Sequence, residues 1–315
     1  MRWFAVVGVV AMLVVVGAVH ASEGVLSPLG DEHMPVVTQL EITTDSPLAP
    51  HGEPALLDAI SRFFADQAEV LSAQAEATPS PTPTDSPVLH KARKSKMTVV
   101  LLGDSMMDTL GPDGAGLPKR LHTVYPGTEF TVINHGVGAE NIDSGLHRIE
   151  NGYTYLGSAR NSIVAEKPDV VVVESFGYNP YPLPDRHDAI TKHWLKLSEI
   201  VDTLHRDLPD AKIVIAATIA PNWDTFGDGA PFINMSPDGK KQKAEEIRQY
   251  IESTISFAEG EHLPLADAYH PSLGSDKNGK LAYINGGDHI HYSDAGRALM
   301  STAIANAIVS AKLLE

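Results

Sequence analysis

From residue 97 onward the chain alternates between two hydrophobic periods. Five short apolar runs occur at 97–102 (MTVVLL), 129–134 (EFTVIN), 169–175 (DVVVVES), 212–218 (KIVIAAT) and 263–268 (LPLADA). Each has the length and boundaries of a buried strand. Between and after them apolar residues recur at helical spacing, most clearly at 186–208, 239–260 and 293–314. Strand-like and helix-like segments thus alternate over roughly 220 residues, which predicts one α/β domain. The run VVVV has no polar alternation, so both faces of that strand are covered. That is the pattern of a parallel sheet with helices on both sides.

The pattern upstream is different. Residues 3–19 are apolar all round and follow a single Arg2. Val19 and Ala21 stand at the −3 and −1 positions of a signal-peptidase site, predicting export with cleavage after Ala21. The run is also just long enough to stay as a membrane anchor, and both outcomes remain open. Residues 22–53 show no sustained period. Over 54–77, Leu56, Leu57, Ile60, Phe63, Phe64, Val70 and Leu71 recur at helical spacing behind Pro54, predicting one amphipathic helix. The tract TPSPTPTDSP at 78–87 reads as an extended linker, and the basic HKARKSK at 90–96 as its solvated end. The expected organisation is a leader or anchor at 1–21, a linker region at 22–96 and a folded domain at 97–315.

Composition narrows the function. The 315 residues carry 40 acidic and 24 basic side chains, a net charge of −16. This excludes a nucleic-acid footprint and docking on an anionic membrane, leaving membrane contact only through the N-terminal segment. With no Cys, disulfides, Cys-ligated zinc and thiol catalysis are excluded, whereas export is not.

In a parallel α/β sheet, chemistry collects at the carboxyl ends of the strands. The first run ends in Gly103-Asp104-Ser105, the second in the Gly-rich loop Asn134 to Asn141, and the third in SFGYNP with Gly177 and Asn179. GGDHIHYSDAG precedes the last helix, whose expected N-cap is Ser293. A hydroxyl, exposed backbone N–H groups, an amide and a carboxylate–imidazole pair are the inventory for acyl transfer. Asp288, three residues before His291, can orient the ring and stabilise its charge, and the ring can take a proton from a Ser hydroxyl. Plain surface histidines are one alternative. A metal pair, His289 and His291 in H-x-H spacing, is another, but no further ligand cluster supports it, so neither metal nor cofactor is implied. Asp104 reads as a capping or turn-stabilising residue, Met106 and Met107 as core or pocket wall, and Trp194 and Trp223 as packing rather than substrate platforms. Glu174, a carboxylate at the end of a buried strand, either faces the site or pairs with a basic residue. The aromatic, Gly/Pro-rich loops at 177–186 and 221–232 are expected to line the substrate pocket.

The four blocks GDS, NxGxG, GxN and DxxH occur in the order found in the SGNH (GDSL-type) hydrolases, and residues 97–315 resemble that family. The resemblance implies a flavodoxin-like three-layer α/β/α sandwich of five parallel strands, in agreement with the strand count. It implies Ser105 as nucleophile, His291 as general base and Asp288 as its orienting acid. It implies an oxyanion hole made by the backbone N–H of Ser105, a backbone N–H from Gly138 or Ala139, and the side-chain amide of Asn179. Two positions depart from the family. Ala139 stands where Gly is usual, which the loop tolerates if φ is negative there, and Pro180 replaces the usual Asp. The expected activity is that of an exported serine esterase acting on carbohydrate O-acyl groups or lipid esters. An O-acyltransferase using a glycan acceptor and a non-catalytic carbohydrate-binding protein are the alternatives.

Overall fold

The computed structural model describes residues 89–315. The leader at 1–21, most of the linker and the helix expected at 54–77 lie outside the described residues. The chain runs through β1 (Lys96–Gly103), α1 (Ser105–Asp108), α2 (Leu117–Val124), β2 (Glu129–Gly136) and α3 (Ile142–Glu150). A hairpin of β3 (Tyr153–Tyr155) and β4 (Ser158–Arg160) follows, then α4 (Ile163–Glu166), β5 (Val170–Glu174) and α5 (Arg186–Asp207). The remainder is β6 (Lys212–Ala217), α6 (Pro237–Gly260), β7 (Leu265–Asp267), α7 (Tyr269–Ser272) and α8 (Asp294–Ser310).

All five strands expected from the apolar runs pair in parallel, in the order β2-β1-β5-β6-β7. Alternate residues of the inner strands enter opposite cores. Val99, Leu101, Val170 and Val172 join one, while Val100, Leu102, Val171 and Val173 join the other. Helices α2 and α8 cover the first face with Leu117, Leu121, Ile304 and Ile308. Helices α3 and α5 cover the second with Ile142, Ile149, Leu197, Ile200 and Leu204, and α6 contributes to both. This is the three-layer α/β/α sandwich of the sequence analysis. Ser293 caps α8 as expected, its Oγ accepting from Gly296 N–H at 3.1 Å.

The strand order reverses between β1 and β5, from which the sheet is extended in opposite directions. A crevice opens at such a switch point, at the carboxyl ends of the two strands. Ser105 leaves one side of it and Asn179 the other. The first helix is pressed onto β2 at Gly136, where a Cβ would lie 2.2 Å from Asp108 N. Gly136→Ala is therefore expected to destabilise the domain by about 2 kcal/mol, read as a lower urea midpoint.

Two features were not expected. Residues 90–95 are not a solvated linker end. His90 N–H donates to Val124 O at 2.8 Å, Arg93 N–H donates to Leu314 O at 2.7 Å, and Lys94 pairs with Asp169 at 2.6 Å. Arg93 and Lys94 meet Asp169 just before β5, at the end of the sheet opposite the crevice, and His90 meets Glu315. The β3–β4 hairpin also went unnoticed. Its turn, Leu156 and Gly157 with φ of 49° and 74°, has the two left-handed residues of a tight hairpin.

Candidate active site

Ser105 is half-buried at the first position of α1. Asp104, fully buried, caps that helix by accepting from Met106 N–H at 2.7 Å, the role expected for it. Met106 and Met107 are buried. The other carboxylate oxygen of Asp104 accepts from the Asn179 amide at 2.9 Å. That bond ties the β5 loop to the serine turn and leaves the second amide N–H of Asn179 for other use.

In the second loop, buried Asn134 donates to Met107 O at 2.7 Å and Gly111 O at 2.8 Å and accepts from Gly136 N–H at 2.8 Å. Its role is to lash the end of β2 to the serine helix. Gly138 N–H donates to the Tyr155 hydroxyl at 3.1 Å, and that hydroxyl donates to Asp108 at 2.7 Å. Ala139 has φ of 60°, so the loop does demand the left-handed conformation that the sequence analysis made the condition for Gly. The strain is of the order of 1–2 kcal/mol. Among the described residues the Ala139 N–H has no hydrogen-bond acceptor.

Glu174 faces neither a basic residue nor solvent. It accepts from Ser175 Oγ–H at 2.6 Å and, through its other oxygen, from Phe176 N–H at 2.9 Å and Asp104 N–H at 3.4 Å. Burial, with the Asp104 charge beside it, holds its pKa well above the ordinary carboxylate range. His193 fixes the same loop from α5, its Nε2–H donating to Ser175 O at 2.8 Å.

Before α8, the Asp288 carboxylate contacts His291 Nδ1 at 2.8 Å and accepts from the backbone N–H groups of Ile290 at 2.9 Å and His291 at 3.0 Å. The carboxylate thus assigns the ring proton to Nδ1 and leaves Nε2 as acceptor. Burial opposes a charged ring. The Asp288 hydrogen bond and charge, with Asp104 and Asp108 further off, outweigh it and raise the His291 pKa. Burial likewise works to raise Asp288, but the His291 bond and charge prevail and lower it. Ser105 Oγ itself makes no hydrogen bond to His291 in this structure. His289 turns away to Asp228 O at 2.8 Å. Among the described residues no three His, Asp or Glu side chains stand together as metal ligands.

The two long loops divide between core and surface, with Leu183 and Phe232 exposed. Tyr178, Tyr181 and Phe226 are buried in the cores, and Trp194 packs edge-on against Phe257 at 5.2 Å. Loop 221–232 braces the acid–base loop through Asp228. Sequence reasoning missed Tyr155, Asp108 and Arg148. The signals were the alternating YTYLG of a hairpin and an arginine on the apolar face of α3.

A serine turn after β1, an amide-bearing loop after β5 and a bonded Asp–His pair before α8 are groups suited to acyl transfer. The chain belongs to the GDSL-like lipase/acylhydrolase family, whose model matches residues 101–299, and is an esterase-type hydrolase. Among solved structures it is similar to the lipase/acylhydrolase from Enterococcus faecalis, with 19% identity and a TM-score of 0.48, covering 68% of this chain and 96% of that one. A GDSL-like lipase from Bacteroides thetaiotaomicron has 13% identity and a TM-score of 0.46, covering 80% and 97%. An acetylxylan esterase from Geobacillus stearothermophilus has 17% identity and a TM-score of 0.43, covering 67% and 94%. No curated protein sequence matches the chain.

Proposed function

We propose that the protein is an exported serine esterase that removes O-acyl groups, carbohydrate esters being the proposed substrate class. The observation that carries the reading is the Asp288–His291 pair, bonded at 2.8 Å, which leaves Nε2 free to act as a base. Ser105 Oγ attacks the ester carbonyl and passes its proton to His291 Nε2. The tetrahedral oxyanion collapses, the alcohol leaves with that proton, and water hydrolyses the acyl-enzyme by the same route. The Ser105 N–H, a loop N–H and the Asn179 amide stabilise the oxyanion. Ala139 is the proposed loop donor, because the Gly138 N–H is engaged by Tyr155. Export rests on the pattern at 1–21, and the linker suits work at or beyond the cell envelope.

The test is covalent labelling. An organophosphonate ester is expected to add one phosphonyl group, and peptide mapping is expected to place it on Ser105. The labelling rate should rise with pH through an ionisation above the ordinary histidine value, since the base must be neutral and its pKa is raised. An adduct elsewhere, or none alongside a lack of turnover on p-nitrophenyl acetate, would sink the reading.

A further inference from the structure

Arg148 is the largest fully buried side chain of the described domain, 1% exposed, and the chemistry above does not use it. A buried guanidinium is costly and needs a reason. None of its hydrogen bonds goes to a carboxylate. Nε donates to Ser144 O in its own helix at 3.1 Å, Nη1 donates to His135 O, and Nη2 donates to Gly103 O at 3.1 Å. The last two carbonyls lie at the carboxyl ends of the paired strands β2 and β1. The guanidinium carbon also stands 5.9 Å from the Phe176 ring centroid and 5.8 Å from that of Tyr153.

These partners share one property. Gly103 lies two residues before Ser105, His135 four before Ala139, and Phe176 three before Asn179. Every proposed oxyanion donor thus follows, within four residues, a carbonyl that Arg148 holds or a ring that it faces. Helix α3, which carries Arg148, begins directly after the Ala139 loop with Asn141 as its N-cap. It approaches Phe176 so closely that a Cβ on Gly145 would lie 2.5 Å from that ring. Phe176 is itself held at φ of 52°, a left-handed backbone that needs outside support.

We propose that Arg148 is the positioning residue of the oxyanion hole, setting the serine turn, the Ala139 loop and the Asn179 loop in mutual register. The inference rests on the serine-esterase reading. A planar fork is required, because two of its N–H groups must reach carbonyls on neighbouring strands while its face lies near aromatic rings. Lysine preserves the charge and most of the length but supplies a single point of contact. The oxyanion exists only in the transition state, so a misplaced hole lowers kcat and leaves ground-state binding alone.

The full chain carrying Arg148→Lys is to be compared with wild type on p-nitrophenyl acetate. The expected result is a folded protein by circular dichroism, with kcat lower on the order of a hundredfold and KM within about twofold. A folded variant that keeps kcat within about threefold, or whose loss falls in KM, overturns the proposal. If Arg148→Lys does not fold, Phe176→Leu decides. It leaves the three carbonyl contacts and removes only the ring. A kcat loss of about tenfold with unchanged KM supports the role, and an unchanged kcat overturns it. Wild type that neither turns over nor labels at Ser105 would instead refute the esterase reading, which separates the two failures.

Discussion

Ester hydrolysis is expected to fall about a million-fold in kcat when Ser105 becomes Ala, and about ten-thousand-fold when Asp288 becomes Asn. The first loss removes the only hydroxyl on the α1 turn before Thr109. The second is more informative. One oxygen of Asp288 accepts from the Ile290 and His291 N–H groups, and Asn can keep those bonds and the shape of the loop. The other oxygen faces His291 Nδ1 at 2.8 Å. An amide NH2 at that point would donate to Nδ1, drive the ring proton to Nε2 and leave no base for Ser105. The carboxylate charge that raises the His291 pKa would go as well. A matched control exists in Asp267, whose carboxylate contacts His270 Nδ1 at 2.7 Å and accepts from His270 N–H at 3.0 Å. Asp267→Asn is expected to leave kcat within about twofold. Steady-state kinetics on p-nitrophenyl acetate decides. An Asp288→Asn enzyme with a tenth or more of wild-type kcat would show that Asp288 does not orient the base.

That second pair also shows what was legible in the sequence. D-x-x-H makes the same local contact at 267–270 and at 288–291, so the motif alone specifies a turn and not a site. What set Asp288 apart was its order among three other blocks at strand ends. The strands were readable because β1 and β5 are buried on both faces and carry almost no polar residue, and the long helices because each shows a persistent apolar stripe. The three-residue strands β3 and β4 and the ring contacts of Arg148 were not. They depend on pairings between segments, such as Tyr155 to Gly138 and Arg148 to Gly103, and no local period encodes those. Ala139 is a visible departure in the sequence, but its φ of 60° is a property of the folded loop. Long-range closure likewise turned the basic stretch at 90–96 from linker into part of the domain.

Acid is expected to destabilise the domain through two buried histidines. Burial, together with the Arg148 and Arg160 charges, lowers the His135 pKa to about 4. Burial lowers that of His193 to about 4 despite its bond to Ser175 O. The geometry explains why a second proton is refused: His135 Nε2 and His193 Nδ1 have no hydrogen-bond partner among the described residues. In the unfolded chain both rings titrate near the ordinary value, about 6.5. As pH falls below that point the unfolded state takes up protons that the native state does not, so stability is lost. Each histidine withdraws about 3 kcal/mol by pH 4. Glu174 and Asp104 act in the opposite sense. Burial raises both, so the native state holds protons there that the unfolded chain has released, and that contribution is lost as pH rises through the folded values. The net slope is a difference, and only substitution separates the two parts. His135→Gln/His193→Gln keeps an amide donor for Ser175 O and removes both acid-sensitive rings. Relative to wild type, its unfolding free energy from urea titrations should improve by about 6 kcal/mol between pH 7 and pH 4. The same difference from wild type at both pH values would mean that neither ring resists protonation in the native fold.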